Sequence, residues 1–147
     1  MNKLYNAKDI EIFLTEVDKS FPVPLSDKQD IKLYAQKLFD KATICAELDD
    51  GKIISLVAGY TDNMKDNIAY FSVAATTKEG RGRGLATKLF KEFLSICKDK
   101  NLDAAELYTD KRNVDAIRLY EKIGFQPYVI EDDPRPDDVH MIYYIKK

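Results

Sequence analysis

Arg81-Gly82-Arg83-Gly84-Leu85-Ala86-Thr87 stands between two segments of opposite character. Before it, Asn67 to Thr76 (NIAYFSVAAT) is apolar, aromatic and β-branched, and reads as a strand. After it, Leu85, Leu89, Phe90, Phe93, Leu94 and Cys97 recur on one face of a helix. The arrangement is therefore strand, tight glycine-rich turn, helix. Glycines let the backbone approach a ligand closely and take angles that other residues avoid. The helix start turns unpaired N–H groups and the positive end of its dipole toward the turn, so a phosphate or pyrophosphate is the natural occupant. Arg81 and Arg83 add forked donors suited to phosphate. A P-loop requires Gly-Lys-Ser/Thr at its end, and Gly84 is followed by Leu85-Ala86. A dinucleotide fingerprint finds an acid at about the right distance in Asp103, but the loop lies mid-chain and alternating parallel strands are missing. An arginine–glycine RNA-binding segment needs repeats and a basic chain. From the loop alone, a plain charged turn stays open as the alternative.

Outward from the loop, the chain divides into short elements. Ile10, Phe13, Leu14 and Val17 predict a first helix over Ala7 to Ser20, stopped near Phe21-Pro22-Val23-Pro24. Ser26 and Gln29 form a capping-box pattern for a second helix, with Ile31, Tyr34, Ala35, Leu38 and Phe39 as its buried face. Ala42 to Leu48, an Asp49-Asp50-Gly51-Lys52 hairpin turn and Ile53 to Tyr60 lead through Thr61–Asp66 to the strand before the loop. Three strands on short turns predict an antiparallel meander. Beyond the loop helix, Ala104 to Thr109 reads as a strand. Asn113 is suited to N-cap a short helix with Asp115 in its first turn, and Gly124 to end it. Phe125 to Ile130 and Val139 to Ile145 read as the last strands, around the proline-broken acidic loop Glu131 to Asp138. The expected fold is mixed α/β (α+β): a central, mostly antiparallel sheet flanked by about four helices, as a single domain over residues 1–147.

At 147 residues there is room for one core. A net charge of −2 argues against a general nucleic-acid or membrane-surface role. Cys45 and Cys97 lack metal-ligand spacing and read as reduced core thiols, so no metal is expected. No basic leader and no bilayer-length apolar run is seen, and the chain reads as soluble and cytoplasmic.

Two stretches carry a family resemblance. Arg81-Gly82-Arg83-Gly84-Leu85-Ala86 resembles the acyl-CoA loop of the GNAT superfamily of N-acetyltransferases, Gln/Arg-x-x-Gly-x-Gly/Ala. Asn113-Val114-Asp115-Ala116-Ile117-Arg118-Leu119-Tyr120-Glu121-Lys122-Ile123-Gly124-Phe125 resembles its second signature, Asn-x-x-Ala-x-x-Leu/Phe-Tyr-x-x-x-Gly-Phe. The resemblance implies acetyl-CoA as co-substrate, with its pyrophosphate on the amides of Gly82, Arg83, Gly84, Leu85, Ala86 and Thr87 and Arg81 beside it. It implies pantetheine pairing along Ala74, Ala75 and Thr76, and a cofactor contact from Asn113, which capping alone would also explain. It further implies that Tyr120 protonates the departing CoA sulfur. Spacing alone describes Tyr120 equally as a ring packed beside Ala116 and Ile117; the seven-residue offset from Asn113 matches the family's acid.

That role is chemically sound. Acetyl transfer to an amine develops an oxyanion that a strand amide can hold. A thiolate then leaves, and a phenol of pKa ~10 can supply its proton. Lys78 and Gly80 replace the usual proline and aromatic before the loop, implying a looser approach to it, and Thr76 replaces a common valine. Tyr108 stands where the protein-N-terminus-modifying branch places a glutamate base, which counts against an N-terminal alanine acetyltransferase. Glu106 and His140, the single histidine, are the remaining titratable candidates for a base, with a water chain as the alternative.

The resemblance places the acceptor beside the Phe21 to Leu25 link, with Tyr60, Tyr70, Tyr108 and the acidic loop as further walls. The expected acceptor is a small primary amine: an amino sugar, amino acid, polyamine or aminoglycoside-like molecule. A non-catalytic acyl-CoA-binding or regulatory module, or a peptide N-acetyltransferase, is the alternative. Neither a nucleic-acid nor a membrane partner is expected, and a homodimer through sheet edges is a further implication.

Overall fold

The meander forms as the turn residues dictate. β1 (Thr43–Asp49) and β2 (Lys52–Tyr60) are joined at Asp50 and Gly51. Their φ values of +52° and +79° define the mirror-image turn that matches strand twist. β3 (Ile68–Thr76) returns antiparallel to β2. The computed structural model describes residues 4–129, 131–133 and 135–146. Its sheet is completed by β4 (Ala104–Asp110), β5 (Gln126–Pro127) and β6 (Asp138–Tyr144), in the order β1-β2-β3-β4-β6-β5. Only the β3–β4 pair is parallel. A parallel pair needs a crossover, and α4 (Leu85–Asp99) supplies it, immediately after the glycine loop.

Helices cover both faces. α1 (Ala7–Val17) and α3 (Ile31–Lys41) bury Ile10, Phe13, Leu14, Tyr34, Ala35 and Leu38 against Ile53, Leu56, Ala58 and Val73. On the other face, α4 and α5 (Val114–Ile123) pack around Val57, Phe71, Leu107, Phe125 and Met141. Phe71 lies 4.2 Å from Phe93 and 4.8 Å from Phe90 between ring centroids. Aromatic pairs of this kind contribute about 0.5–1.5 kcal/mol each beyond area burial.

The mixed architecture and mostly antiparallel sheet agree with the sequence expectation, with five α-helices among the described residues rather than about four. The difference lies after Pro24, where a single turn, α2 (Leu25–Lys28), precedes α3. Ser26 does not cap the second long helix. Its amide and hydroxyl donate to Asp18 at 2.9 and 2.6 Å, while Asp30 caps α3 by accepting from the Leu33 amide at 3.0 Å. An acidic residue one position before the apolar face is the better cap. Of the last strands, β5 is shorter than predicted, at two residues, with Ile130 outside the described residues; β6 keeps its expected length and is shifted one residue earlier, opening at Asp138.

One irregularity shapes the centre of the molecule. Phe71 pairs with Gly59 and Val73 with Ala58, so Ser72 is an extra residue on β3, a β-bulge. The alternation of faces flips there: Phe71 and Ala74 pack toward α4, whereas Val73 and Ala75 pack toward α1 and α3. Gly59 permits the close approach, because a Cβ there would lie 2.5 Å from the Tyr70 carbonyl and 2.8 Å from Phe93. The Tyr34 hydroxyl shares a hydrogen bond with Ser72 Oγ and holds the bulge from the helical side.

Candidate functional site

The bulge opens the sheet. β3 and β4 pair only at Ile68/Ala104, Ala69/Ala105 and Tyr70/Glu106. Beyond Tyr70, β3 continues along β2 and β4 along β6, so the two parallel strands diverge into a wedge. Two adjoining cavities occupy it. One is lined by Ala74, Ala75, Thr76, Arg81, Ala86, Asn113, Leu119 and Tyr120. The other is lined by Phe21, Val23, Ser72, Val73, Tyr108, Asp110 and again Ala74, Asn113 and Tyr120.

One wall of the first cavity is the edge of β3. The edge of β3 facing β4 lacks a strand partner from Phe71 onward, leaving backbone groups of Ala74–Thr76 for an extended ligand. At its mouth, Gly82 and Gly84 have φ of +80° and +70°, and nothing lies within 4 Å of a Cβ at either. These glycines are there for backbone angle, not for space. No side chain caps α4, and its first intrahelical bond runs from Lys88 N to Gly84 O. The amides of Leu85, Ala86 and Thr87 thus have no partner among the described residues, as an anion site requires. Arg81 reaches Ser20 Oγ at 3.1 Å and Arg83 the Glu79 carbonyl at 3.4 Å. Neither arginine has a carboxylate partner among the described residues.

The approach to this loop is tight, contrary to the looser one expected. Lys78–Gly80 form a 3₁₀ turn pinned by Thr77 N to Ile54 O at 2.8 Å. A Cβ on Gly80 would meet Thr76 Cγ2 at 2.9 Å and the Ile54 carbonyl at 3.0 Å, so packing on β2 replaces the stiffness of a proline. Thr76 Oγ1 meets Ser55 Oγ at 2.8 Å, a cross-strand use that valine could not make.

Tyr120 lines both cavities. Its ring packs edge-on against Phe90 at 5.3 Å and near Phe125 at 6.0 Å, so the packing expected from spacing is present in a residue that also lines the cleft. Burial pushes its hydroxyl up to about 12, which keeps it a neutral donor across the physiological range. That hydroxyl has no hydrogen-bond partner among the described residues. Asn113 occupies the N-cap position of α5, but its side chain makes no capping bond. Asp110 supplies the preceding turn, accepting from the Arg112 amide, and its carbonyl accepts from Asn113 N at 2.9 Å. The Asn113 side chain lines both cavities, so capping does not account for it.

The second cavity meets a more open one lined by Val23, Lys28, Asp110, Lys111, Arg112, Arg135, Asp137 and Asp138. The inner space holds about 150 Å³ and the outer about 700 Å³. The inner one therefore suits a small reacting head and the outer one the rest of a molecule. Phe21, Pro22, Val23 and Leu25 border the inner space, as expected for the inter-helix link. Asp18, held below the usual carboxylate range by Ser26, ties the two ends of that link together. Tyr60 and Tyr70 do not line these cavities; Tyr108 does.

Arg112 grips Asp110 with Nε and Nη2 at 2.9 and 2.8 Å, and this holds the Asp110 carboxyl well below its ordinary range. His140 is only 4% exposed and pairs with Glu106 at 3.0 Å, its ring stacked on Tyr108 at 4.6 Å. Neither Glu106 nor His140 lines the wedge, which leaves no carboxylate or imidazole of that pair in contact with its contents. Sequence reasoning missed Phe90, Ala116 and Lys28 as cleft residues, while the expected loop wall is present as Arg135, Asp137 and Asp138. Gly59, a glycine inside an apolar strand, was the one signal for the bulge.

Comparison with known proteins agrees with this architecture. The Acetyltransferase (GNAT) family model matches residues 10–125, and the chain belongs to that family. It is 32% identical over 97 residues to a mycothiol acetyltransferase of Thermomonospora curvata, covering 66% of this chain and 32% of that protein. It is 37% identical over 59 residues to N-alpha-acetyltransferase 30 of Schizosaccharomyces pombe, covering 40% and 39% respectively. The matched segment thus spans just under a third of the first relative and about two fifths of the second. In fold, it superposes on a GNAT-family acetyltransferase of Staphylococcus aureus with a TM-score of 0.76, 17% identity and coverage of 99% and 96%. The ribosomal-protein-S18-alanine N-acetyltransferase of Escherichia coli gives 0.74 at 18% identity, covering 99% and 93%. The PaiA N-acetyltransferase of Thermoplasma acidophilum, solved with coenzyme A, gives 0.71 at 14%, covering 97% and 96%.

Proposed function

We propose that this protein is an acetyl-CoA-dependent N-acetyltransferase acting on the primary amine of a small molecule, by direct attack in a ternary complex. The observation that carries the proposal is the convergence of two dissimilar cavities on Tyr120, with open helix amides and a free strand edge on one side. The amides at Gly82–Thr87, with Arg81 and Arg83, suit a pyrophosphate. The β3 edge at Ala74–Thr76 suits the amides of a pantetheine arm, and Asn113 reaches the same space.

Acetyl-CoA supplies an activated thioester; the chain's residues align it and manage charge. As the amine nitrogen bonds to the carbonyl carbon, negative charge grows on the carbonyl oxygen, where a β3 amide can receive it. As the carbon–sulfur bond breaks, Tyr120 donates its proton to the sulfur and regains one from solvent. The amine enters neutral, having lost its proton to water along the open outer cavity, and the proton released on attack leaves the same way. Arg112 takes up the Asp110 carboxyl at the inner cavity, and Glu106 and His140 do not line the wedge, which supports water in that role.

Free-thiol release from acetyl-CoA across a panel of amines tests the proposal. Amine-dependent thiol release with a matching acetylated product is expected. A protein that binds CoA, shown by a rise in Tm with CoA and acetyl-CoA, yet releases no thiol with any amine or peptide, would be a binding module instead.

A further inference from the structure

The outer cavity is lined by four cations, Lys28, Lys111, Arg112 and Arg135, against three carboxylates, Asp110, Asp137 and Asp138. Arg112 takes up Asp110 directly and also lies in the field of Asp137. Lys28 lies in the field of Asp110, but none of Lys28, Lys111 and Arg135 has a carboxylate partner within ion-pair distance among the described residues. Two carboxylates place charge on Tyr108, beside Arg135, without forming an ion pair with its guanidinium. Glu106 meets His140, and Asp133 accepts the Arg135 main-chain amide at 2.8 Å.

Arg135 is also held in a set orientation. Its guanidinium stacks 4.5 Å over the Tyr108 ring, and Nη1 lies 3.4 Å from the Tyr70 hydroxyl. A guanidinium stacked on an aromatic face keeps its edge donors in plane for a forked acceptor. Tyr108 faces the inner cavity, and Lys28 lines both inner and outer spaces. A group bound between Arg135 and Lys28 therefore sits beyond the reacting amine, along the direction in which the cleft opens.

We infer that the acceptor carries a carboxylate next to its amine, as an amino acid does, and that Arg135, with Lys28, holds that carboxylate. This rests on the acetyltransferase reading above and narrows it. A polyamine would bring positive charge to a wall where cations outnumber carboxylates. A peptide N-terminus would have converted its α-carboxylate to an amide.

The test compares each of the twenty amino acids that has a stable decarboxylated amine with that amine, as kcat/KM in acetyl-CoA-dependent thiol release. The same pairs are run as Tm shifts on CoA-saturated protein. At least one amino acid is expected to exceed its amine tenfold or more, the range of charge-assisted hydrogen bonds. In Arg135→Gln that ratio falls toward one, mainly through KM of the amino acid. Arg135→Lys restores part of it, and Lys28→Gln lowers it less. Amines that match or exceed their amino acids, a ratio that survives Arg135→Gln, or a preference for peptides would each overturn the inference. So would CoA-saturated protein that neither turns over nor is stabilised by any amino acid. Failure of the acetyltransferase reading is distinct: no Tm shift with CoA itself, or a shift with CoA and no thiol release with any amine or peptide.

Discussion

The two ends of the cleft are made of different material. At the cofactor end, the groups that matter are main-chain amides and a strand edge, set by Gly82, Gly84 and the Ser72 bulge. At the acceptor end they are side chains from four separate segments: the Phe21–Leu25 link, Lys28, the end of β4 and the loop before β6. A main-chain site needs a short run of residues with the right φ/ψ and little else. A side-chain site needs tertiary structure to assemble it, and its chemistry changes with each substitution. The first is suited to a constant ligand, the second to a variable one.

Tyr120 stands where the two ends meet, and its loss should show the largest effect. Tyr120→Phe is expected to lower kcat about 10²–10³-fold, equivalent to roughly 3–4 kcal/mol. KM for acetyl-CoA should change little, because the ring still packs on Phe90 and Phe125. Thiol-release kinetics measure both; an unchanged kcat would reduce Tyr120 to packing. Burial also makes a pH prediction. A phenol raised to about 12 when folded, against ~10 unfolded, adds nothing to the pH dependence of stability below pH 10. Between about 10 and 12 the unfolded state loses its proton and the folded state does not, so stability falls. Urea midpoints across that range should fall less steeply in Tyr120→Phe. Activity, by contrast, should rise through the pKa of the acceptor amine and stay level until folded Tyr120 loses its proton toward about 12.

Glycines separate the two kinds of construction at the next level of effect. Gly59→Val forces a side chain onto the Tyr70 carbonyl and Phe93, and should cost about 2–3 kcal/mol, lowering Tm by roughly 5–10 °C. Gly82→Ala meets no atoms but must hold φ near +80°, at about 1 kcal/mol. Its signature should be a higher KM for acetyl-CoA with a small Tm change. If the two variants behaved alike, the distinction between a glycine for space and a glycine for angle would not hold here.

The same distinction explains what could be read before any coordinates. The loop, the meander and the α5 signature are local patterns, and each appears within a residue or two of its expected place. The cap of α3 went to Asp30 because Ser26 was recruited by Asp18, a contact eight residues back that local spacing does not reveal. Arg135 read as part of an acidic loop, and only the pairing of β4 with β6 brings it over Tyr108. Glu106 and His140 were reasonable base candidates by type. Their mutual pairing below the point where β3 and β4 diverge could not be seen from the chain.

Asn113 gives the finest test, because two readings of one residue predict opposite results. As an N-cap, its truncation should cost about 1 kcal/mol of stability. The structure gives its side chain no capping bond, and Asp110 already organises the turn before α5. Asn113→Ala should therefore leave Tm within about 1–2 °C of the parent, a change below 0.5 kcal/mol. The Tm rise on adding acetyl-CoA should shrink, since a side chain lining both cavities is removed. Asp30→Ala serves as the contrast. It removes a cap that is made, at 3.0 Å to Leu33 N, and should lower Tm while leaving the acetyl-CoA shift intact. A result with these roles exchanged would mean that Asn113 serves the helix and the cleft is lined there by chance.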